Sequence, residues 1–217
     1  MPSLAGMKRF AVWMTGMAAW GSLTFADPLF VQDFTKSEVG TMPDEFLILD
    51  GQFAVKEDAG NRFVELPGAP LESYGFLFGP NNPHGVEISG RIWSTKSGRK
   101  FPTFGLGANG ASGYRIQVAP AKGMIELLRG DVIVASTPFA WKSGEWTELR
   151  LRVIQMGEGA GTVEGSAWSA GAEAPKEPML RFTESKIQPA GKASAWGMPF
   201  AGTPIRFDDL KVTPVAK

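Results

Sequence analysis

Cysteine is absent from this chain of 217 residues, and histidine occurs once, at His84. Without cysteine the protein has no disulfide, no thiol nucleophile and no thiolate metal site. A single histidine also excludes a zinc site built from several imidazoles. A serine–histidine–aspartate triad would have to use His84, but this residue lies among glycine, proline and asparagine in a turn-rich segment. We interpret it as an exposed loop residue.

An excess of either charge is also missing, because the chain has 22 basic and 22 acidic residues. Such a balance gives no field that would attract nucleic acid or an anionic membrane. Two of the basic residues, Lys8 and Arg9, lie within the first 26 residues, so the remainder is slightly acidic. We expect neither nucleic acid nor a membrane as a partner of the mature protein.

The first 26 residues have the order of a secretory leader. A basic pair at Lys8 and Arg9 precedes the uncharged apolar run 10–23, and 24–26 ends in alanine just before Asp27. This is the charged, apolar and small-residue pattern that a signal peptidase reads. A membrane anchor is the alternative, but the run is shorter than the roughly 20 residues that span a bilayer core.

We therefore predict a signal peptide over residues 1–26 and a single mature domain over 27–217. This organisation places the protein in the periplasm or outside the cell. After the leader no second apolar stretch approaches spanning length.

The rest of the chain is predicted to consist of short strands. Runs rich in valine, isoleucine, phenylalanine and tryptophan alternate with turn residues, and no stretch shows a helical period. In 146–153, Leu149 and Leu151 share one face while Arg150 and Arg152 share the other, as in a half-buried antiparallel strand. Many short strands at regular spacing predict an all-β sandwich or barrel. The predicted strands are 29–34, 45–49, 52–57, 62–66, 74–78, 86–93, 103–107, 114–119, 124–129, 131–136, 146–155, 162–168, 179–183, 192–197 and 204–212.

Two local irregularities are visible in the pattern. Gly130 and Asp131 separate two strands and predict the turn of a hairpin. In the last strand the apolar phase changes at Asp208 and Asp209, which predicts a β-bulge there. Residues 169–178 have no apolar period and are expected to form an exposed loop.

Several segments resemble bacterial exported domains of the concanavalin A-like (laminin G-like) jelly-roll superfamily, near those called 3-keto-disaccharide hydrolase. The resemblance implies an all-β fold, an antiparallel two-sheet jelly-roll β-sandwich. Members of the superfamily include glycan-binding modules, glycosidases and proteins with no known ligand, so the resemblance leaves the activity open. The segments that carry it are Phe34 with Gly40 and Pro43, then 49–55, 113–118, 123–127, 144–151 and 207–212.

A glycosidase needs two carboxylates placed across the sugar, about 5 Å apart for retention of configuration. Jelly rolls of the glucanase type carry them as Glu-x-Asp-x-x-Glu, and this motif is absent. Glu87, Glu126 and Glu164 each occur singly on a predicted strand. Two of them could meet across a sheet, or all three could be solvated surface residues.

A sugar-binding site instead needs aromatic faces that stack on pyranose rings and polar groups that pair with hydroxyls. Trp93 lies outside the apolar phase of its strand, as Arg91 does, and Trp168 lies in the polar series of its strand with Glu164. The alternative is that each tryptophan is covered by a loop at a strand end. Arg115 and Gln117 have the same polar phase in 114–119. We predict that these residues form one glycan platform if their strands are neighbours: Trp93, Trp168, Arg91, Arg115, Gln117 and Glu164.

Two further tryptophans and one aspartate pair are given other roles. Trp146 begins a strand and is expected to cap the core, and Trp196, between alanine and glycine, is expected to be packed. Asp208 and Asp209 could supply oxygen ligands to a structural calcium ion. A bulge or a strand-edge charge explains the aspartate pair equally well. No other cofactor is expected.

These observations together favour an exported, non-catalytic, carbohydrate-binding β-sandwich whose partner is a glycan or oligosaccharide. The alternatives are a glycoside hydrolase or other sugar-modifying hydrolase on the same fold, and a structural or interaction module of the cell envelope without a sugar site.

We predict that the exported protein begins at Asp27, because the residues before it complete the leader pattern. Intact-mass measurement of the exported protein tests this. A mature species that retains residues 10–23 would contradict it.

Overall fold

The computed structural model describes residues 27–68, 72–83, 85–156 and 159–215. The predicted signal peptide and His84 lie outside these residues, so both interpretations stay predictions. Within the described part of the chain, we find no helix with the length and apolar character needed to cross a bilayer.

Over the described residues the chain forms fifteen strands and one short 3-10 helix at Pro120–Lys122. Every predicted strand is present, with ends that shift by a few residues. The strands are β1 (Phe30–Gln32), β2 (Leu47–Asp50), β3 (Ala54–Asp58), β4 (Asn61–Leu66), β5 (Tyr74–Phe78), β6 (Val86–Ser94), β7 (Thr103–Ala108), β8 (Tyr114–Ala119), β9 (Met124–Arg129), β10 (Val132–Pro138), β11 (Trp146–Met156), β12 (Ala160–Ser169), β13 (Leu180–Glu184), β14 (Ala193–Met198) and β15 (Ile205–Pro214).

The described strands form two antiparallel sheets, as the sequence predicts. The eight-stranded sheet has the order β13-β12-β11-β6-β15-β4-β3, and β1 pairs with β15 on the edge that β4 also uses. The seven-stranded sheet has the order β10-β9-β8-β7-β14-β5-β2. Most neighbours in the sheets are distant in the sequence, so the pairing is set largely by long-range contacts.

The alternation of side chains decides which face of each strand is buried. Leu149 and Leu151 of β11 are completely buried, and Leu149 lies opposite Gly90 of β6 and Ala167 of β12. Arg150, between the two leucines, lies on the outer face. The predicted phase of this strand is therefore confirmed.

Aromatic side chains from both sheets meet in the core. The ring of Phe207 on β15 lies 5.5 Å from that of Phe76 on β5, and Phe53 lies 4.9 Å from Phe76. Both pairs are edge-to-face, which places the positive ring edge against the negative ring face. These contacts join the eight-stranded sheet to the seven-stranded sheet.

A buried polar cluster joins the sheets near one edge. Tyr114 of β8, 1% exposed, donates its hydroxyl hydrogen to Glu184 of β13, and its oxygen accepts the backbone N–H of Gln188 at 3.1 Å. Arg129 of β9 forms an ion pair with Glu184 at 2.7 Å. The cluster therefore satisfies a buried carboxylate with partners from the opposite sheet.

Both predicted irregularities are confirmed. Val132 pairs with Arg129 across the turn at 130–131, so β9 and β10 form a hairpin. The register of β15 against β6 shifts between Asp208 and Lys211, and Asp209 has a positive φ of 51°. The extra residue of this bulge keeps apolar side chains inward on both sides of it.

We expect Leu149→Asp to unfold the protein, because an unpaired charge in the core costs several kcal/mol out of a total stability of about 5–15 kcal/mol. The matched control is Ser89→Asp. Ser89 lies on the outer face of β6, opposite Arg150 and Lys211, so the new carboxylate gains two cationic neighbours. Thermal melts compare the two variants. Equal losses of stability would show that the assignment of faces is wrong.

Candidate functional site

The six residues predicted to form one glycan platform are divided between the two sheets. Arg115 and Gln117 lie on β8, which pairs with β7 and β9 in the seven-stranded sheet. The prediction of a single surface is therefore wrong for these two residues. The polar phase of a strand predicts an outward side chain, but it does not predict which sheet the strand joins. The other four share the outer face of the eight-stranded sheet: Trp93, Trp168, Arg91 and Glu164.

The tryptophans on the eight-stranded sheet are covered by arginines. The guanidinium carbon of Arg206 lies 4.3 Å from the ring centre of Trp93, and that of Arg150 lies 5.5 Å from the ring centre of Trp168. Trp93 also donates its Nε1 hydrogen to the carbonyl oxygen of Gly144 at 2.8 Å. These indoles are engaged in cation–π contacts with their own protein.

The prediction that Trp146 caps the core is wrong. Trp146 lies on the outer face of the eight-stranded sheet. It is opposite Trp93 in the register of β11 and β6, and the guanidinium carbon of Arg91 lies 4.8 Å from its ring centre. Its ring also packs against Phe63 at 6.1 Å. The alternation of the strand places residue 146 on the face of Arg150 and Arg152, so the expectation failed because it set the size of the indole above the phase of the strand.

The carboxylates proposed for calcium are paired with a cation from the protein. Arg91 forms ion pairs with Asp208 at 2.7 Å and with Asp209 at 2.8 Å, and Asn61 donates a hydrogen bond to Asp208 at 2.8 Å. Burial raises the pKa of Asp208, which is completely buried. Among the described residues no three acidic, histidine or cysteine side chains are grouped to hold a metal. The aspartate pair therefore does not fit a calcium site.

Glu164 belongs to a second ion-pair network on this face. Arg152 lies 3.1 Å from Glu164 and 3.3 Å from Glu87, and Arg181 lies 2.9 Å from Glu164. The two glutamates are neutralised by arginines that lie between and beside them. This arrangement stabilises charge on the sheet and leaves few groups for a ligand.

The outer face of the seven-stranded sheet is built differently, around Trp196. Trp196 is half-buried on the outward phase of β14 and donates its Nε1 hydrogen to Ser194 at 2.9 Å. A Cβ atom on Gly75 would lie 2.7 Å from its Cε3, and one on Gly107 would lie 3.4 Å from its Nε1. Glycines on the strands at either side therefore let the indole lie flat against the sheet.

Arg115 lies over the ring of this indole and has no polar partner. Its guanidinium carbon is 5.4 Å from the ring centre of Trp196, and its Nε is buried without a hydrogen bond. Burial lowers the pKa of Arg115, and the charge of Asp131 acts in the opposite direction. A guanidinium can donate five hydrogen bonds, so most of the binding capacity of Arg115 is unused.

Gln117 lies two residues further along β8 and is fixed by a neighbouring acid. It donates from Nε2 to Glu126 at 2.7 Å, and Lys122 donates to the same carboxylate at 2.7 Å. Because an ionised carboxylate only accepts, the Gln117 amide nitrogen must face Glu126. Its Oε1 is consequently buried without a donor.

A cavity of about 310 Å³ adjoins Trp196 and Arg115, and we call it the Trp196 groove. Its volume is at the lower end of the range for small-molecule sites. Serine hydroxyls, one carboxylate and one thioether complete its wall. The groove is lined by Ser73, Ala111, Ser112, Gly113, Tyr114, Arg115, Gly130, Asp131, Trp196 and Met198.

Trp196 is expected to be packed, and the structure places it against the outer face of the seven-stranded sheet, half-buried. Ala193, Ala195 and Gly197 alternate with Ser194 and Trp196, and the first three face the core. Small residues on the inner phase of a strand carry little hydrophobic signal, so the sequence does not predict which face of β14 carries Trp196.

No family model and no curated protein sequence matches the chain. Solved structures do match it in fold. Carbohydrate-binding module CBM66 from Bacillus subtilis has a TM-score of 0.52 at 9% identity, over 78% of this chain and 95% of that one. A Bacillus subtilis protein of unknown function with a galectin-like fold has a TM-score of 0.57 at 14% identity, over 88% and 97%.

The exoplasmic/lumenal domain of VIP36, in a form described as bound to Ca²⁺ and Man2, is also similar. Its TM-score is 0.57 at 13% identity, over 86% of this chain and 87% of that one. These likenesses show that the chain has a concanavalin A-like, galectin-like fold, which confirms the all-β, two-sheet antiparallel sandwich of the prediction.

We predict that Tyr114, whose phenol is buried between the two sheets, resists ionisation. Burial and the hydrogen bond to Glu184 raise its pKa from 10.0 to about 12. The folded protein keeps a proton that the unfolded chain loses between these values, so its stability falls as the pH rises through this window. Ultraviolet absorbance of the phenolate measures the ionisation.

The chain has two tyrosines, and burial also raises the pKa of Tyr74. Tyr114→Phe isolates the titration of Tyr74, and protein unfolded in guanidinium gives the unperturbed reference. A native tyrosine spectrum that titrates like the unfolded chain would contradict the prediction.

Proposed function

We propose that this protein is exported and binds a carbohydrate, without catalysis, in the Trp196 groove. The observation that carries the proposal is the indole of Trp196, laid flat on the outer face of a sheet beside the uncommitted side chain of Arg115. A flat aromatic side chain stacks on the apolar face of a pyranose ring, and polar groups at its edge bind the hydroxyls.

The contrast between the two outer faces favours the Trp196 groove over the platform predicted on the eight-stranded sheet. Trp93 and Trp168 already stack with arginines, and Glu164 is paired with Arg152 and Arg181. Arg206 also pairs with Glu65 and Asp58, and Arg150 donates to the carbonyl oxygen of Pro175, so a ligand would have to disturb arginines that other contacts hold. Arg115 also lies over the Trp196 ring, at 5.4 Å, but no hydrogen bond or ion pair holds it there. At the groove, by comparison, a ligand supplies partners to donors that have none.

The fold supports the proposal in a general way. One structural neighbour is described as a carbohydrate-binding module and another as a Man2-bound form. Each covers most of this chain, but at identities that carry no residue-level correspondence. We therefore place the site by the geometry of this chain and not by alignment.

A hydrolase, including one of the 3-keto-disaccharide hydrolase type, is the second candidate. One observation favours it: burial and the neighbouring Asp209 raise the pKa of Glu148 on the eight-stranded sheet, and burial raises that of Asp208. A carboxyl group with a raised pKa is what a general acid requires. Arg91, which pairs with both aspartates, opposes this effect at both groups.

We expect Trp196→Ala to weaken binding of the best wild-type ligand from a glycan array at least about tenfold, equal to about 1.4 kcal/mol. Titration calorimetry measures this. Trp168→Ala is the matched control, because it removes a half-buried outward tryptophan from the opposite sheet. Melting temperatures of both variants show whether the fold is kept.

The outcomes separate the candidates. Loss of binding in Trp168→Ala alone would place the site on the eight-stranded sheet, as the sequence predicted. An array without any hit would contradict sugar binding. Fragments of the bound glycan in a mass spectrum after incubation would favour the hydrolase.

A further inference from the structure

We propose that the ligand of the Trp196 groove carries a carboxylate, so that the protein selects acidic sugars such as uronic acids over neutral ones. The inference rests on the proposed function, since it names the class of sugar that the same groove takes. The charge of Arg115 requires compensation, in addition to the partners that its hydrogen-bond donors require.

Most other arginines in the described residues have polar partners within the protein. Arg150 stacks on Trp168 and donates to the carbonyl oxygen of Pro175 at 2.8 Å, and Arg99 is exposed. Six further arginines form ion pairs with aspartate or glutamate: Arg62, Arg91, Arg129, Arg152, Arg181 and Arg206.

Arg115 is the exception within this part of the chain. It is half-buried and forms neither an ion pair nor a hydrogen bond. Its guanidinium makes a cation–π contact with the Trp196 ring. Asp131 is close enough to affect its pKa, but it is exposed on the β9–β10 turn and forms no ion pair with it. A partly buried charge is costly unless an opposite charge compensates it.

A neutral sugar would leave this charge uncompensated, because hydroxyl groups supply acceptors but no negative charge. A carboxylate supplies both, since its two coplanar oxygens match the planar fork of a guanidinium in a bidentate pair. Arg115 lies over the Trp196 ring at 5.4 Å, so the sugar ring that bears the carboxylate would replace the guanidinium on the indole while the carboxylate pairs with it. The two residues thus define an anionic end and an apolar face for one sugar unit.

The test is a glycan array that contains neutral, carboxylated and sulfated sugars, followed by titration of each carboxylated hit and its methyl ester. Esterification removes the charge and keeps the sugar ring. We expect carboxylated hits, and binding at least about tenfold weaker for the ester. Arg115→Gln should lower affinity for the acid to that for the ester, while Arg150→Gln, an arginine beside a tryptophan on the opposite sheet, should change neither.

Arg115→Lys tests the fork geometry, because lysine keeps the charge as a point and loses the planar donors. We expect it to restore only part of the preference for the acid. Neutral hits that depend on Trp196 but not on Arg115 would overturn the acidic-sugar inference and leave the proposed function standing. Hits restricted to sulfated sugars would also overturn it. An array without hits would overturn the proposed function itself.

Discussion

The packing of two apolar sheet faces against each other is the constraint on which the rest of this structure depends. Each strand alternates its side chains, so the core fixes one phase and leaves the other for the outer faces. Phe76 and Phe207 meet at the centre of this core. Once these inner positions are set, the position of every polar side chain on the outer faces follows from the register.

The polar side chains on the two outer faces differ in how they are paired. On the eight-stranded sheet, arginines stack on tryptophans and pair with carboxylates, as Arg91 does with Trp146 and Asp208. On the seven-stranded sheet, Arg115 lies over an indole with its Nε unpaired, and the side-chain carbonyl oxygen of Gln117 is also buried without a donor. Internal pairing stabilises a surface, whereas unpaired buried groups gain most from a ligand. This difference supports the seven-stranded sheet as the binding face that we propose.

The sequence predicted the strands, their phases, the hairpin and the bulge, because each depends on the local alternation of side chains. It did not predict which strands are neighbours, since β6 pairs with β11 and β15 across long stretches of chain. Arg115 and Trp93 therefore have equivalent local patterns but lie on different sheets. The face that carries Trp196 could not be predicted because its inward neighbours are small, and the glycines that shape its surroundings come from two other strands.

The hydrogen bond from Trp196 to Ser194 has a consequence for selectivity. Together with the close approach of Gly75, it holds the ring in place before any ligand arrives, so association does not have to freeze an aromatic rotamer. The Trp196 side chain therefore loses little conformational entropy when a ligand binds. In the binding mode that we propose, the fixed indole also limits which sugars bind. A sugar with an axial substituent on its apolar face would bind poorly, because the indole cannot move into the sheet to make room for the substituent.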